Sequence, residues 1–84
     1  MELTELKSNW NQVLFQLEAE NRVAWLTFFD ARLVKIEADQ LFLDFSDSEK
    51  FSGSHSYADA RGKYVSLLES VIAEVTGSTL KVKW

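Results

Sequence analysis

The longest helical pattern in the chain is YADARGKYVSLLESVIAEV, residues 57–75. Its apolar side chains recur three or four positions apart, so at 100° per residue they form one broad stripe. The stripe consists of Tyr57, Ala60, Tyr64, Leu67, Leu68, Val71, Ile72 and Val75. The polar residues of the other face are Lys63, Ser66, Glu69, Ser70 and Glu74. The pattern predicts a helix with one buried face, and we expect replacement of the solvent-facing Glu69 to change stability little.

This helix should end at Gly77, because glycine readily takes the left-handed conformation that stops a helix. Residues 79–84 then alternate with a period of two, which predicts a strand. Its expected inward residues are Leu80, Val82 and Trp84, and its expected solvent-facing residues are Lys81 and Lys83.

An amphipathic helix is also predicted at the start of the chain. Its apolar residues recur at helical spacing: Leu3, Leu6, Trp10, Val13, Leu14 and Leu17. Phe15 departs from this pattern, since it projects about 150° from the centre of the stripe. We expect a neighbouring helix to cover its ring, and the alternative is that Phe15 contacts a partner.

A short second helix should follow Asn21, which is a suitable N-cap residue. Residues 22–29 contain too many apolar side chains for a one-sided stripe, so this helix should be buried on most sides. We assign Trp25, Phe28 and Phe29 to the core.

The period changes to two over residues 32–45, which predicts a β-hairpin. The connection lacks Asn-Gly or Asp-Gly, so we expect a loop of three to five residues in which Asp39 takes the unusual backbone angle. The residues expected to point inward are Val34, Ile36, Leu41, Leu43 and Phe45. The apolar residues expected to point outward are Leu33 and Phe42.

Together these elements predict one α+β domain over residues 1–84, in the order α-α-β-β-α-β. Three helices should pack on one face of a small three-stranded sheet, as in KH-like folds but without a G-x-x-G loop. A chain of 84 residues should bury roughly 60% of the surface that its unfolded form exposes.

Composition limits the classes of function. The net charge is −4, which argues against a broad phosphate-binding surface, so we expect weak or no direct binding of nucleic acid. The chain has no cysteine and no apolar run long enough to span a membrane. We therefore expect a cytoplasmic protein that does not bind a membrane.

No sequence motif of an enzyme is present, and we predict no catalytic, cofactor or metal site. Phosphate-binding glycine loops, nucleophile elbows and H-E-x-x-H are all absent. Ser46 and Glu49 have the spacing of a capping box, so we interpret this segment as a helix cap rather than as a cation-binding loop. His55 has no second ligand near it in sequence, so we interpret it as a solvated loop residue.

Seven segments carry a resemblance to a known family. They are WNQVL (10–14), RVAWL (22–26), ARLV (31–34), LFLDF (41–45), LLE (67–69), AEVTG (73–77) and LKVK (80–83). In this order they resemble a domain of the gamma/tau subunit of bacterial DNA polymerase III, with the actinobacterial form the most similar. The resemblance spans almost the whole chain. It departs from the family at Ala38, where we expect glycine, and over residues 52–56, which match no family pattern.

The resemblance implies a role in DNA replication. In that family the domain lies beyond the clamp-loader ATPase and collar regions, so the chain would be a piece of a longer protein of the DNA polymerase III holoenzyme. The implied function is a non-catalytic interaction that links the clamp loader to replisome proteins. The implied partner is the polymerase catalytic subunit or the replicative helicase.

Two alternatives remain open at this point. One is the amino-terminal interaction domain of the replication initiator, and the other is a small single-stranded nucleic-acid-binding module. The candidate contact residues are a sheet-face pair, Leu33 and Phe42, with the surrounding Lys35, Lys81 and Lys83, and separately Phe15. Of these we rank the sheet pair first, because neighbouring apolar residues form one patch.

Overall fold

A computed structural model of the chain describes residues 1–45 and 58–84. The elements are α1 (Leu3–Glu20), α2 (Arg22–Phe28), β1 (Arg32–Glu37), β2 (Gln40–Asp44), α3 (Ala58–Thr76) and β3 (Lys81–Lys83). Three helices and a three-stranded mixed sheet in the order α-α-β-β-α-β confirm the predicted fold class. The capping box at Ser46, the loop 52–56 with His55, and Tyr57 lie outside the described residues.

The two amino-terminal helices form where the sequence predicts them. α1 buries one stripe, Leu6, Trp10, Val13 and Leu17. The Asn21 side chain then caps α2, since its Oδ1 accepts hydrogen bonds from the backbone N–H groups of Val23 at 3.0 Å and Ala24 at 3.2 Å. These bonds satisfy two of the donors that a helix start leaves free. None of the helices in the described part is long and apolar enough to cross a membrane.

α2 is less enclosed than predicted. Phe28 is fully buried, but Phe29 is 45% exposed and Trp25 is half-buried. The two partly exposed rings stack on each other, with centroids 5.1 Å apart. Assignment of Phe29 to the core was wrong, because α2 ends at Phe28 and the next side chain leaves the face that packs on α1 and α3.

α3 follows its predicted stripe and stop. Leu68, Val71 and Ile72 are fully buried, and Gly77 has a φ of 76°, the left-handed value that ends the helix. The solvent-facing assignment of Glu69 was wrong. Its carboxylate is half-buried and accepts a hydrogen bond of 2.9 Å from the backbone N–H of Val82 in β3.

The sheet has the strand order β1-β2-β3, with β1 antiparallel and β3 parallel to β2. The β1–β2 turn contains only two residues, since Glu37 pairs with Gln40, so the longer predicted loop was wrong. Ala38, rather than Asp39, has the positive φ, at 56°. A positive φ at the first central position alone matches a type II′ turn, whose twist suits a two-residue hairpin.

A β-bulge in β1 changes the predicted orientation of two residues. The register passes from Leu33 opposite Leu43 to Lys35 opposite Phe42, so Val34 is the extra residue. Leu33 therefore packs against the core, while Val34 is 51% exposed. The predictions for Leu33 and Val34 were both wrong, because strict alternation does not hold across a bulge.

The core lies between the helices and the inner face of the sheet. From the strands and the residues next to them, the core contains five side chains that were all predicted to point inward, Leu41, Leu43, Phe45, Leu80 and Val82. Lys81 and Lys83 are exposed, as predicted. Trp84 is 52% exposed, yet its ring meets Phe45 edge-on with centroids 6.1 Å apart.

Candidate interaction surface

One row of side chains crosses the outer face of the sheet. Lys35 in β1 pairs with Phe42 in β2, and Phe42 pairs with Lys83 in β3. Phe42 points outward because its neighbours Leu41 and Leu43 point into the core, and strand side chains alternate between faces. The row therefore places an aromatic ring between two lysines from different strands.

Lys35 contacts this ring directly. Its Nζ lies 4.9 Å from the centroid of Phe42, within the range of a cation–π interaction. The same Nζ lies 3.0 Å from the Glu37 carboxylate, and both side chains are exposed. An exposed ion pair adds little stability. Phe42 is half-buried, so part of its ring remains accessible beside the lysines.

The outer face is electropositive although the chain is acidic. Its outward charged residues are Arg32, Lys35, Lys81 and Lys83 against Glu37 and Asp44. Four basic and two acidic side chains give this face a net charge of +2, whereas the whole chain carries −4. The charge is thus unevenly distributed, and this face attracts anionic groups.

The structure groups most of the candidate contact residues. Phe42, Lys35, Lys81 and Lys83 lie on the outer sheet face as predicted. Leu33 does not, and the bulge places Val34 there instead.

Phe15 lies apart from this group. It is 68% exposed on the solvent side of α1, whose buried stripe faces the core. No described helix covers it, so the expectation that a neighbouring helix would do so was wrong.

A groove that the sequence analysis missed lies between α1 and the start of β1. It has a volume of about 470 Å³ and is lined by Lys7, Trp10, Asn11, Ala31, Arg32 and Leu33. The α1 residues are spaced i, i+3 and i+4, which places them on one helix face. That spacing was a usable signal on the helix side, but the approach of residues 31–33 depends on tertiary packing.

Arg61 is a buried residue that the sequence pattern did not single out. It is 5% exposed, and its guanidinium lies 3.7 Å from the centroid of the Phe45 ring. Its position seven residues before Leu68 places it on the buried stripe of α3, so the helical spacing could have indicated it. A buried cation over an aromatic face stabilises the junction of α3 with the end of β2.

The described residues contain no group of three or more His, Cys, Asp or Glu side chains that could hold a metal ion. Comparisons of the chain with protein-family models, with curated proteins and with solved structures gave no match.

Proposed function

We propose that this chain is a non-catalytic protein-interaction domain whose binding surface is the outer face of the sheet. The observation that carries the proposal is the Lys35–Phe42–Lys83 row, an accessible aromatic ring between two cations. No described helix or strand packs on this face. The row therefore supplies an apolar contact that the fold itself does not use.

The energetics of this row suit a modest interface. Burial of apolar area contributes about 25 cal/mol per Å² before ordering costs, and aromatic residues often dominate binding energy. Phe42 would be the central contact, with Val34 beside it on β1. The net positive charge of the face would steer an acidic partner and set its orientation.

We further propose that the domain belongs to a gamma/tau subunit of DNA polymerase III and links the clamp loader to the polymerase catalytic subunit or the replicative helicase. Support for this partner class comes from the sequence resemblance, which spans nearly the whole chain. The amino-terminal domain of the replication initiator is the alternative with the same mode of action, since it too would act through protein contacts.

The test compares two phenylalanines that face away from the core, by pull-down of purified polymerase catalytic subunit and helicase. We expect Phe42→Ala to abolish capture while its melting temperature stays nearly unchanged. Phe15→Ala is the matched control, because it removes the same ring from a surface outside the proposed interface. Normal capture by Phe42→Ala, or equal loss in Phe15→Ala, would refute the proposed surface.

A second candidate function, binding of single-stranded nucleic acid, is favoured by the same row. Aromatic rings flanked by cations are the elements on which bases stack in sequence-independent binders. With a net charge of −4, we expect only weak binding of oligothymidylate at physiological salt. Salt-sensitive binding at about micromolar concentration, lost in the double variant Lys81→Glu with Lys83→Glu, would establish this function instead.

A further inference from the structure

The two edges of the sheet are not equivalent, and β3 forms the edge that is already covered. The Lys81 backbone N–H donates to the Asp39 carbonyl at 2.7 Å, so it points toward β2. Backbone N–H groups alternate along a strand, so that of Val82 points to the outer edge. There it donates to the Glu69 carboxylate at 2.9 Å. An added strand would have to displace this carboxylate.

The β1 edge differs. Glu37 and Gln40 flank the two-residue turn and exchange backbone hydrogen bonds, so the backbone groups of Ile36 point away from β2. Past the bulge, Leu33 is opposite Leu43, and its backbone groups also point away from β2 in the plane of the sheet. Outside the sheet ladder, no hydrogen bond among the described residues involves Leu33 or Ile36. This edge keeps donors and acceptors for a further strand.

The groove between α1 and β1 lies beside the Leu33 end of this edge. Leu33 lines the groove, and the Trp10 side chain of α1, also part of its lining, is nine-tenths buried. Lys7 is exposed and contributes positive charge from the α1 wall, whereas Arg32 on the opposite wall already takes part in another interaction. The groove thus combines a strand edge, a lining of both polar and apolar side chains, and an exposed lysine.

We propose that this groove binds an extended acidic segment of a partner protein, which adds to β1 as a further strand. Main-chain hydrogen bonds to an exposed strand edge are an established mode of peptide recognition. The Lys7 ammonium group selects carboxylate side chains on the segment. The bulge at Val34 interrupts the regular spacing of edge groups, so pairing is confined to a short segment beside the groove.

This surface shares Arg32 with the outer sheet face, but its hydrogen-bonding groups are distinct from the Phe42 row. The edge groups of Leu33 lie in the plane of the sheet, whereas Phe42 projects from the sheet face. The proposal therefore does not depend on the proposed function, and a Phe42→Ala variant should bind the segment normally.

The experiment is a titration of the ¹⁵N-labelled chain followed by backbone and indole N–H resonances. The probe is a blocked pentapeptide of alternating valine and glutamate. We expect saturable shifts of the Leu33 amide and the Trp10 indole. A peptide with lysine in place of glutamate should bind with an affinity at least about tenfold lower. The same loss is expected for a peptide with a central proline, which removes a backbone donor.

A matched pair of charge reversals tests the contribution of the groove. Lys7→Glu should weaken binding of the valine–glutamate peptide about tenfold or more, since it reverses a charge on the groove wall. Lys63→Glu makes the same change at an exposed position of α3 outside the groove, and it should leave the affinity within about twofold.

Four outcomes of the peptide titrations overturn the proposal. They are the absence of saturable shifts, shifts centred on Phe42 and Lys83, equal weakening by Lys63→Glu, and unchanged affinity in Lys7→Glu. Oligothymidylate that shifts the same groove resonances at lower concentration than the peptide would also overturn it and assign the groove to nucleic acid.

Discussion

The inner and outer faces of the sheet differ most clearly along β2. Leu41 and Leu43 point inward and are 0% and 5% exposed, whereas Phe42 between them points outward and is only half-buried. α1 and α3 contact the strands on the inner face, α2 packs on these two helices, and no described element covers the outer face. Adjacent residues of one strand therefore have different environments, since the covered face contributes to stability and the proposed recognition would use the uncovered one.

The outer face also shows how an apolar ring is kept on a surface. Lysine side chains lay their aliphatic stems along apolar surface and keep their ammonium groups in water. Lys35 lies beside Phe42 in β1, with its Nζ 4.9 Å from the ring centroid, and Lys83 occupies the paired position in β3. The arrangement shields part of the ring without burying it, so a partner can still reach the rest.

The largest expected effect separates the two faces directly. Leu41→Ala should lower the free energy of unfolding by about 2–5 kcal/mol, since it removes a fully buried side chain and leaves a cavity. Phe42→Ala, one residue along, should lower it by less than about 1 kcal/mol. Urea titrations of both variants measure the difference, and equal midpoints would show that the faces are not distinct.

The next effect concerns the covered edge of β3. Glu69→Ala should cost about 1–2 kcal/mol, because the Val82 N–H loses its acceptor while remaining partly buried. Glu74→Ala, at an exposed position of the same helix, should change little. Hydrogen exchange at the Val82 amide should accelerate in the first variant only. Unchanged exchange there would mean that the carboxylate does not protect this edge.

A smaller, stabilising effect is expected at the hairpin turn, which sets the register of β2. Ala38→Gly should raise the free energy of unfolding by about 1 kcal/mol, since glycine adopts a positive φ without the Cβ strain that alanine carries. Ala19→Gly, at an exposed position in α1, should have the opposite sign because glycine weakens a helix. Thermal denaturation of the pair gives both signs, and destabilisation by Ala38→Gly would contradict the turn geometry.

The smallest effect tests the bulge. Val34→Thr should change the free energy of unfolding by less than about 0.5 kcal/mol, because the side chain already faces solvent. Leu33→Thr should be clearly more destabilising, since Leu33 packs on the core. If chemical denaturation gave the reverse order, we would conclude that β1 alternates regularly without a bulge and that Leu33 does not lie on the inner face.

The errors of sequence interpretation share one physical origin. Strict alternation correctly oriented Leu41, Leu43 and Phe42, because β2 has no extra residue. It failed at Leu33 and Val34, because the extra residue of the bulge reverses which of the two side chains faces the core. The amino-acid composition of the strand does not reveal such a bulge. The prediction for Glu69 failed for a similar reason. Helical spacing places it on the polar face of α3, but its carboxylate accepts a hydrogen bond from a backbone group 13 residues further along the chain.

The proposed interaction surfaces were predictable to different degrees. The Lys35, Phe42 and Lys83 positions follow from the period of each strand, but their alignment into one row depends on how the strands pair. The groove beside Trp10 was not predictable, because it forms only where α1 approaches residues 31–33 in space. Phe15 was correctly singled out by spacing, and only the packed structure showed that no described helix covers it.

The sequence by itself determined the element order, the buried stripes of α1 and α3, the Asn21 cap and the stop at Gly77. These features depend on contacts within a few residues, where helical or strand period and backbone preference act directly. Tertiary structure alone decided the parallel placement of β3, the bulge at Val34, the Glu69 contact and the edge of β1 on which no other described strand pairs. Each of these joins groups distant in sequence, so its free energy depends on the packing of whole elements rather than on local residue type.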